Sequence, residues 1–257
     1  MPFQIMACFA FLLGAVTGSF LNVCIYRLPL DQSIITPRSR CMACSTPVAW
    51  FDNLPVISWF MLRGRCRSCG TSYSIRYPLV EFLTALLSLL VFLRFGPSLS
   101  YLIYFALVAA LVVITFIDLD HQIIPDEISL PGIGIGFLAS FFLPEPGWIS
   151  SLLGAVVGWG SLALVFYGYL WLTGREGMGG GDAKLLAMLG AFLGVKAVPF
   201  IIFSSSLVGT VAGLSIMALQ RKGRHLAIPF GPYLAFGALL YIFYGEQLIT
   251  WYLQFGK

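Results

Sequence analysis

Eight apolar stretches divide this chain, at residues 5–25, 79–95, 101–117, 128–143, 149–172, 183–202, 203–220 and 228–250. A helix needs about 20 such residues to cross the ~30 Å hydrocarbon core of a bilayer, and most of these stretches approach or exceed that length. The fourth is short, and the sixth runs into the seventh. Apolar character is continuous along each stretch rather than alternating, which argues against a closed barrel. The expected fold is an all-α polytopic membrane protein of about eight transmembrane helices, with every backbone group paired internally. The composition agrees, at 59% hydrophobic and 10% charged residues with a mean hydropathy of +0.90. Ordinary soluble domains do not have this profile. The first stretch has no basic n-region and no clear small-x-small cleavage site, so it reads as a retained span rather than a signal peptide.

Charge placement orients the bundle. With the N-terminus outside, one face carries Arg27, Arg38, Arg40, Arg63, Arg65, Arg67, Arg76, Arg175, Lys184, Arg221, Lys222 and Arg224. The other carries only Arg94, Lys196 and Lys257, twelve cations against three. That bias assigns residues 26–78, 118–127, 173–182 and 221–227 to the cytoplasm. Asp118 and Asp182 then fall on the same face, because two spans separate them.

The only sizeable polar segment, residues 26–78, contains Cys41-Met-Ala-Cys44 and Cys66-Arg-Ser-Cys69, with twenty-one residues between the pairs. Paired C-x-x-C turns suit a tetrahedral Zn²⁺, since each turn aims two thiolates at one metal. Two disulfides are the rival reading, and a reducing cytoplasm opposes them. A loop with so little apolar core gains from a metal cross-link. Its seven arginines invite a nucleic-acid reading, but the positive-inside bias and anionic headgroups explain them equally well. No nucleic-acid partner is expected; the membrane lipid is. Cys8 and Cys24, inside the first span, read as buried small hydrophobes.

A carboxylate at the edge of hydrocarbon is expensive and marks a functional candidate. Asp118 follows Phe116 and Ile117 directly and precedes Leu119, so it ends its span partly desolvated. Asp182 follows Gly179, Gly180 and Gly181, which permit close backbone approach, and it begins a helix whose free N–H groups favour negative charge. Two carboxylates on one face can share a proton, as aspartic proteases require. On this reading Asp118 tends to hold the proton and Asp182 tends to be ionised, although the two titrate as a pair. Asp120, Glu127 and Glu176 read as markers of the water boundary, and Asp126, after Pro125, as a helix N-cap. The glycine run lacks the P-loop and dinucleotide patterns. A proton-coupled transporter is the alternative use of paired aspartates, but no inverted repeat is visible.

An ordered series of motifs runs through nearly the whole chain. It comprises Gly18-Ser-Phe-Leu-Asn-Val-Cys-Ile-Tyr-Arg-Leu-Pro29, the two C-x-x-C pairs around Asn53-Leu-Pro-Val-Ile-Ser-Trp59, and Ser74-Ile-Arg-Tyr-Pro-Leu-Val-Glu81. Residues 117–126, Gly179-Gly-Gly-Asp182 with Lys184, and Pro229-Phe-Gly-Pro-Tyr233 complete it. The series closely resembles the bacterial type IV prepilin peptidases, bifunctional leader peptidase/N-methyltransferases of the G-x-G-D aspartic protease class. The resemblance implies cleavage of the basic leader of type IV prepilins and type II secretion pseudopilins at the cytoplasmic face of the bacterial inner membrane. It also implies N-methylation of the new N-terminal residue with S-adenosylmethionine. The family spacing of eight positions from the first catalytic aspartate to the one after the proline selects Asp118 over Asp120, and Asp182 is the second. Presenilin-like proteases share the G-x-G-D motif but pair it with a Pro-Ala-Leu motif that is absent here. The implied organisation is a first helix at 1–25, a cytoplasmic zinc domain at 26–78 held by Cys41, Cys44, Cys66 and Cys69, and a peptidase domain at 79–257. An intramembrane-type aspartic protease without methyltransferase activity is the other enzyme reading. No polar segment is large enough for a soluble methyltransferase domain, and the sequence leaves the methyl-donor residues, the particular pilin and the oligomeric state unassigned. Acidic side chains near the site would attract the basic leader.

Overall fold

The computed structural model describes residues 2–174, 179–220 and 229–254. Among them the chain is helical: α1 (Phe3–Arg27), α2 (Ile57–Met61), α3 (Arg76–Phe95), α4 (Leu99–His121), α5 (Asp126–Ala139), α6 (Trp148–Thr173), α7 (Gly180–Leu193), α8 (Ala197–Gln220) and α9 (Gly231–Gln254). No strand forms among these residues, only two isolated bridges. Helices α1, α3, α4, α6 and α8 are long and apolar enough to cross a membrane. Glu176 and the basic turn 221–225 lie outside the described residues.

The chain divides into two compact units, Met1–Val113 and Ile114–Lys257. In the first, α1 packs along α3 through small residues. A Cβ on Gly14 would come within 2.6 Å of the Ser88 Cβ and 2.7 Å of the Ala85 Cα, and one on Gly18 within 2.7 Å of the Glu81 Cα. The pair Gly14 and Gly18 forms a G-x-x-x-G spacing, which lets helix backbones approach closely where lipid supplies no hydrophobic drive. Hydroxyls and amides add interhelical bonds. Ser88 Oγ donates to the Ala10 carbonyl at 2.7 Å and lies 2.9 Å from the Tyr101 hydroxyl, while Asn22 Nδ2 donates to the Tyr77 carbonyl at 3.1 Å.

In the second unit α7 is the hub. Nearly every residue from Asp182 to Leu193 is buried, with α5, α6, α8 and α9 all packed against it. A helix that is apolar all round requires such enclosure. Its 14 residues span only about 21 Å. The α6 seam uses Gly154 and Gly158, at the same four-residue spacing as in α1. Gly154 lies backbone to backbone with Gly190, and a Cβ on Gly158 would meet the Leu186 carbonyl at 2.5 Å. Ser151 Oγ adds a 2.6 Å bond to the Ala191 carbonyl.

The apolar run read as continuous through residue 202 instead breaks at Gly194, where φ is +83°. Glycine takes this positive φ without the clash a Cβ would bring, and here Pro146 and Ser150 crowd the position where a Cβ would stand. The next N–H, from Val195, donates to the Ser150 carbonyl at 3.0 Å, so α8 begins at Ala197. The fourth stretch is likewise shorter than read, with α5 ending at Ala139.

Gly158→Leu should force α6 and α7 apart and cost about 3 kcal/mol or more. Gly160→Leu, whose Cβ meets nothing within 4 Å, should leave stability near wild type. Thermal unfolding in detergent measures both, and equal losses would refute the seam.

Candidate active site and metal centre

The candidate metal centre is assembled from two copies of one turn. Arg40-Cys-Met-Ala-Cys-Ser-Thr46 and Arg65-Cys-Arg-Ser-Cys-Gly-Thr71 share a pattern that sequence inspection could have paired. In the first, Cys41 N–H donates to the Thr46 carbonyl at 2.9 Å and Ser45 N–H to the Cys41 carbonyl at 2.9 Å. In the second, Cys66 N–H donates to Thr71 at 2.8 Å and Gly70 N–H to Cys66 at 3.0 Å. Ser45 and Gly70 both take positive φ, 57° and 73°. An antiparallel bridge closes each turn, Arg40 to Pro47 and Arg65 to Ser72.

The result is four free thiols whose sulfurs all lie within 4.8 Å of one another. Cys41 and Cys69 sulfurs are 3.7 Å apart. A tetrahedral ion with metal–sulfur bonds of about 2.3 Å, the distance zinc takes, separates its sulfurs by about 3.8 Å. The cluster therefore fits a metal ion. The electrostatics prepare it: backbone N–H groups of Cys44 and Ala43, with the Tyr73 hydroxyl, pull the Cys41 thiol down to about 6. The Cys69 and Ser68 N–H groups and the same hydroxyl lower Cys66. Asp52 pairs with Arg67 through bonds of 2.8 and 2.6 Å, tying residues 50–53 to the second turn. Cys24 is buried as read, but Cys8 is exposed on α1.

The two aspartates come together in the second unit. Asp118, in the last turn of α4, retains 5% exposure, and Asp182, in the first turn of α7, retains 8%. They are close enough for the charge of one to act on the other. Asp120, two residues along, is exposed, so burial separates the two candidates as motif spacing does. Gly231, the first residue of α9, donates its N–H to Asp118 Oδ2 at 2.8 Å. A Cβ there would stand 2.7 Å from that oxygen, so the close approach requires glycine. The anion-favouring helix terminus thus faces Asp118 as well, so the asymmetry read from the glycine run before Asp182 is not one-sided. The signal for Gly231 was present in Pro229-Phe-Gly-Pro-Tyr233, but nothing local connects it to a residue 113 positions away.

Asp126 does not cap α5. Pro125 is the N-cap and makes no side-chain cap bond, while the Asp126 carboxylate accepts two bonds from Lys184 Nζ, at 2.8 and 2.7 Å. This ion pair ties the start of α5 to the start of α7, two residues beyond Asp182. Gly181 contributes contact rather than conformation, since its Cβ would meet Ile124 at 3.0 Å.

The apolar helices define a multi-pass membrane protein. The model of the bacterial peptidase A24 N-terminal domain matches residues 12–95, and that of the type IV leader peptidase family matches residues 105–214. A prepilin leader peptidase/N-methyltransferase of Aeromonas salmonicida is 38% identical over 269 residues, covering 95% of this chain and 92% of the relative. Proteins of the same description from Stutzerimonas stutzeri and Neisseria gonorrhoeae are 38% and 43% identical. They cover 100% and 87% of this chain and 96% and 85% of their own lengths. No solved structure matches significantly. The chain belongs to the type IV leader peptidase family.

Purified protein should carry about one metal ion per chain, and Cys41→Ser or Cys66→Ser should lose most of it. Because thiolate is the ligand form, protons compete with the metal for all four sulfurs. Metal retention should therefore be full at about pH 8 and decline on acidification. Elemental analysis after dialysis at each pH checks this.

Proposed function

We propose that this enzyme removes the basic leader from type IV prepilins and type II secretion pseudopilins with Asp118 and Asp182 as its acid–base pair, and then methylates the exposed N-terminal amine. The observation that carries the catalytic assignment is the burial of both carboxylates at helix termini, within range of one another's charge. Neighbouring buried carboxylates cannot both ionise freely, so the pair holds one proton. The ionised member draws a proton from water as that water attacks the scissile carbonyl, while the protonated member donates to the carbonyl oxygen. Collapse of the tetrahedral intermediate returns a proton to the leaving amine. The Gly231 N–H keeps Asp118 oriented through this exchange.

The cluster of Cys41, Cys44, Cys66 and Cys69 is a structural zinc site: all-thiolate ligation closes the coordination sphere and leaves no open position for substrate. S-adenosylmethionine supplies the methyl group. The protein lies in the bacterial inner membrane with eight helices, α1 and α3 to α9, as its spans. The proposed organisation keeps the first helix at 1–25, the zinc domain at 26–78 and the peptidase domain at 79–257. Twelve of fifteen cations support a cytoplasmic aspartate pair. There a prepilin, with its basic leader in water and its hydrophobic helix in lipid, presents the scissile bond at the interface.

Asp118→Asn and Asp182→Asn should each lower prepilin cleavage at least ~100-fold while retaining metal and folded helices. Product masses with and without S-adenosylmethionine read both activities. Retained cleavage in either variant overturns the pair, and a wild-type product lacking one added methyl group overturns methylation. Gly231→Ala should also slow cleavage by at least about tenfold, because its Cβ displaces the Asp118 carboxylate. A rate equal to wild type would show that the 2.8 Å bond is dispensable.

A further inference from the structure

The first unit encloses a cavity of about 470 Å³, a size suited to a small-molecule ligand. Its floor is the α1–α3 pair, represented by Ser19, Asn22 and Glu81, and its wall is the tetracysteine segment, represented by Asn53, Trp59 and Tyr73. Glu81 is the unusual member. Its exposure is 9%, yet among the described residues no ion pair is made with it; its Oε2 accepts the Val56 N–H at 2.7 Å, the Ser19 hydroxyl adds a second hydrogen bond, and Val56 holds a positive φ of 63°. Glu81 suits a cationic group, while Arg27, Arg40 and Arg65 line the same cavity and suit a carboxylate, so the lining matches a ligand that carries both signs of charge. Trp59 offers an aromatic surface fixed in place: its Nε1 donates to the Tyr73 carbonyl at 3.3 Å, and Gly64 packs against its six-membered ring. Arg27 donates to the Ser33 and Pro37 carbonyls, both at 2.8 Å, holding that loop across the rim.

We propose that this cavity binds the methyl donor S-adenosylmethionine, with Glu81 facing its cationic sulfonium and ammonium end and Trp59 stacking on its adenine. The assignment rests on the methyltransferase reading above and adds the location. The chemistry matches on both counts. A sulfonium and an ammonium are fixed positive charges that a desolvated carboxylate rewards, and a purine is a flat π-surface that an indole accepts. The metal turns acquire a second role, since they pin Tyr73 and thereby the Trp59 side of the cavity.

Binding is measured directly, on the full-length, metal-loaded protein in detergent, by titrating S-adenosylmethionine and its demethylated product S-adenosylhomocysteine in a calorimeter. Glu81→Gln keeps an acceptor for the Val56 N–H and removes the charge. It should weaken S-adenosylmethionine at least about tenfold, and the product, which lacks the sulfonium charge, by less. Val23→Trp, which fills the cavity from α1, should weaken both ligands at least about tenfold. Metal content and helical signal identify variants that fold. Ultraviolet cross-linking of labelled S-adenosylmethionine to wild-type protein should mark peptides within residues 19–81. Wild-type affinity in both folded variants, or cross-links confined to residues 114–254, would overturn the location while leaving methylation intact. Absence of binding by wild-type protein that still methylates prepilin would also overturn the location. Absence of both binding and methylation would remove the methyltransferase reading itself, while the peptidase assignment would stand on the product masses.

Discussion

The second unit depends on one packing fact: α7 is enclosed on every side, and glycines make the enclosure close. A hydrophobic helix gains nothing from avoiding water inside lipid, so helices associate there through contact, interhelical hydrogen bonds and backbone approach. Gly154 against Gly190, and Gly158 against the Leu186 carbonyl, give α6 and α7 a seam no larger residue would allow. The same enclosure buries Asp182 at the helix start. The Lys184–Asp126 ion pair then fixes the neighbouring end of α5. A carboxylate so placed is held by its surroundings rather than by its own flexibility, which is what a proton-sharing pair needs.

Asp118 is positioned by a different device. Its hydrogen-bond donor is the first free N–H of α9, a group every helix leaves without an internal partner. The Asp118 carboxylate satisfies that orphan donor, and the Gly231 N–H orients the carboxylate, in one contact. Both aspartates therefore meet helix N-termini, Asp182 that of its own helix and Asp118 that of another. The pair is closer to symmetric than the glycine run around Asp182 suggests by itself.

The first unit solves another problem. Residues 28–75 bury few large side chains, so little apolar core holds them together. Two repeated cysteine turns, the Asp52–Arg67 pair and the Arg27 bonds to the loop supply order in place of a core. Such a segment keeps polar groups and an open cavity beside four clustered thiols, where a hydrophobic core would have filled the space.

Periodicity, charge and motif spacing alone determined that the chain is helical and membrane-embedded and that four cysteines belong to one cluster, and they singled out Asp118 over Asp120 as the candidate. Those properties are local: apolar length, paired C-x-x-C turns and a carboxylate flanked by hydrocarbon are all read from neighbours in sequence. The tertiary structure alone decided that Gly194 ends α7, that Asp126 pairs with Lys184 instead of capping α5, that Gly231 holds Asp118, and that Glu81 lines a cavity. Each depends on residues far apart in the chain, brought together by helix packing. Backbone donors and closely packed glycines carry no side-chain signature by which a sequence could announce such partners.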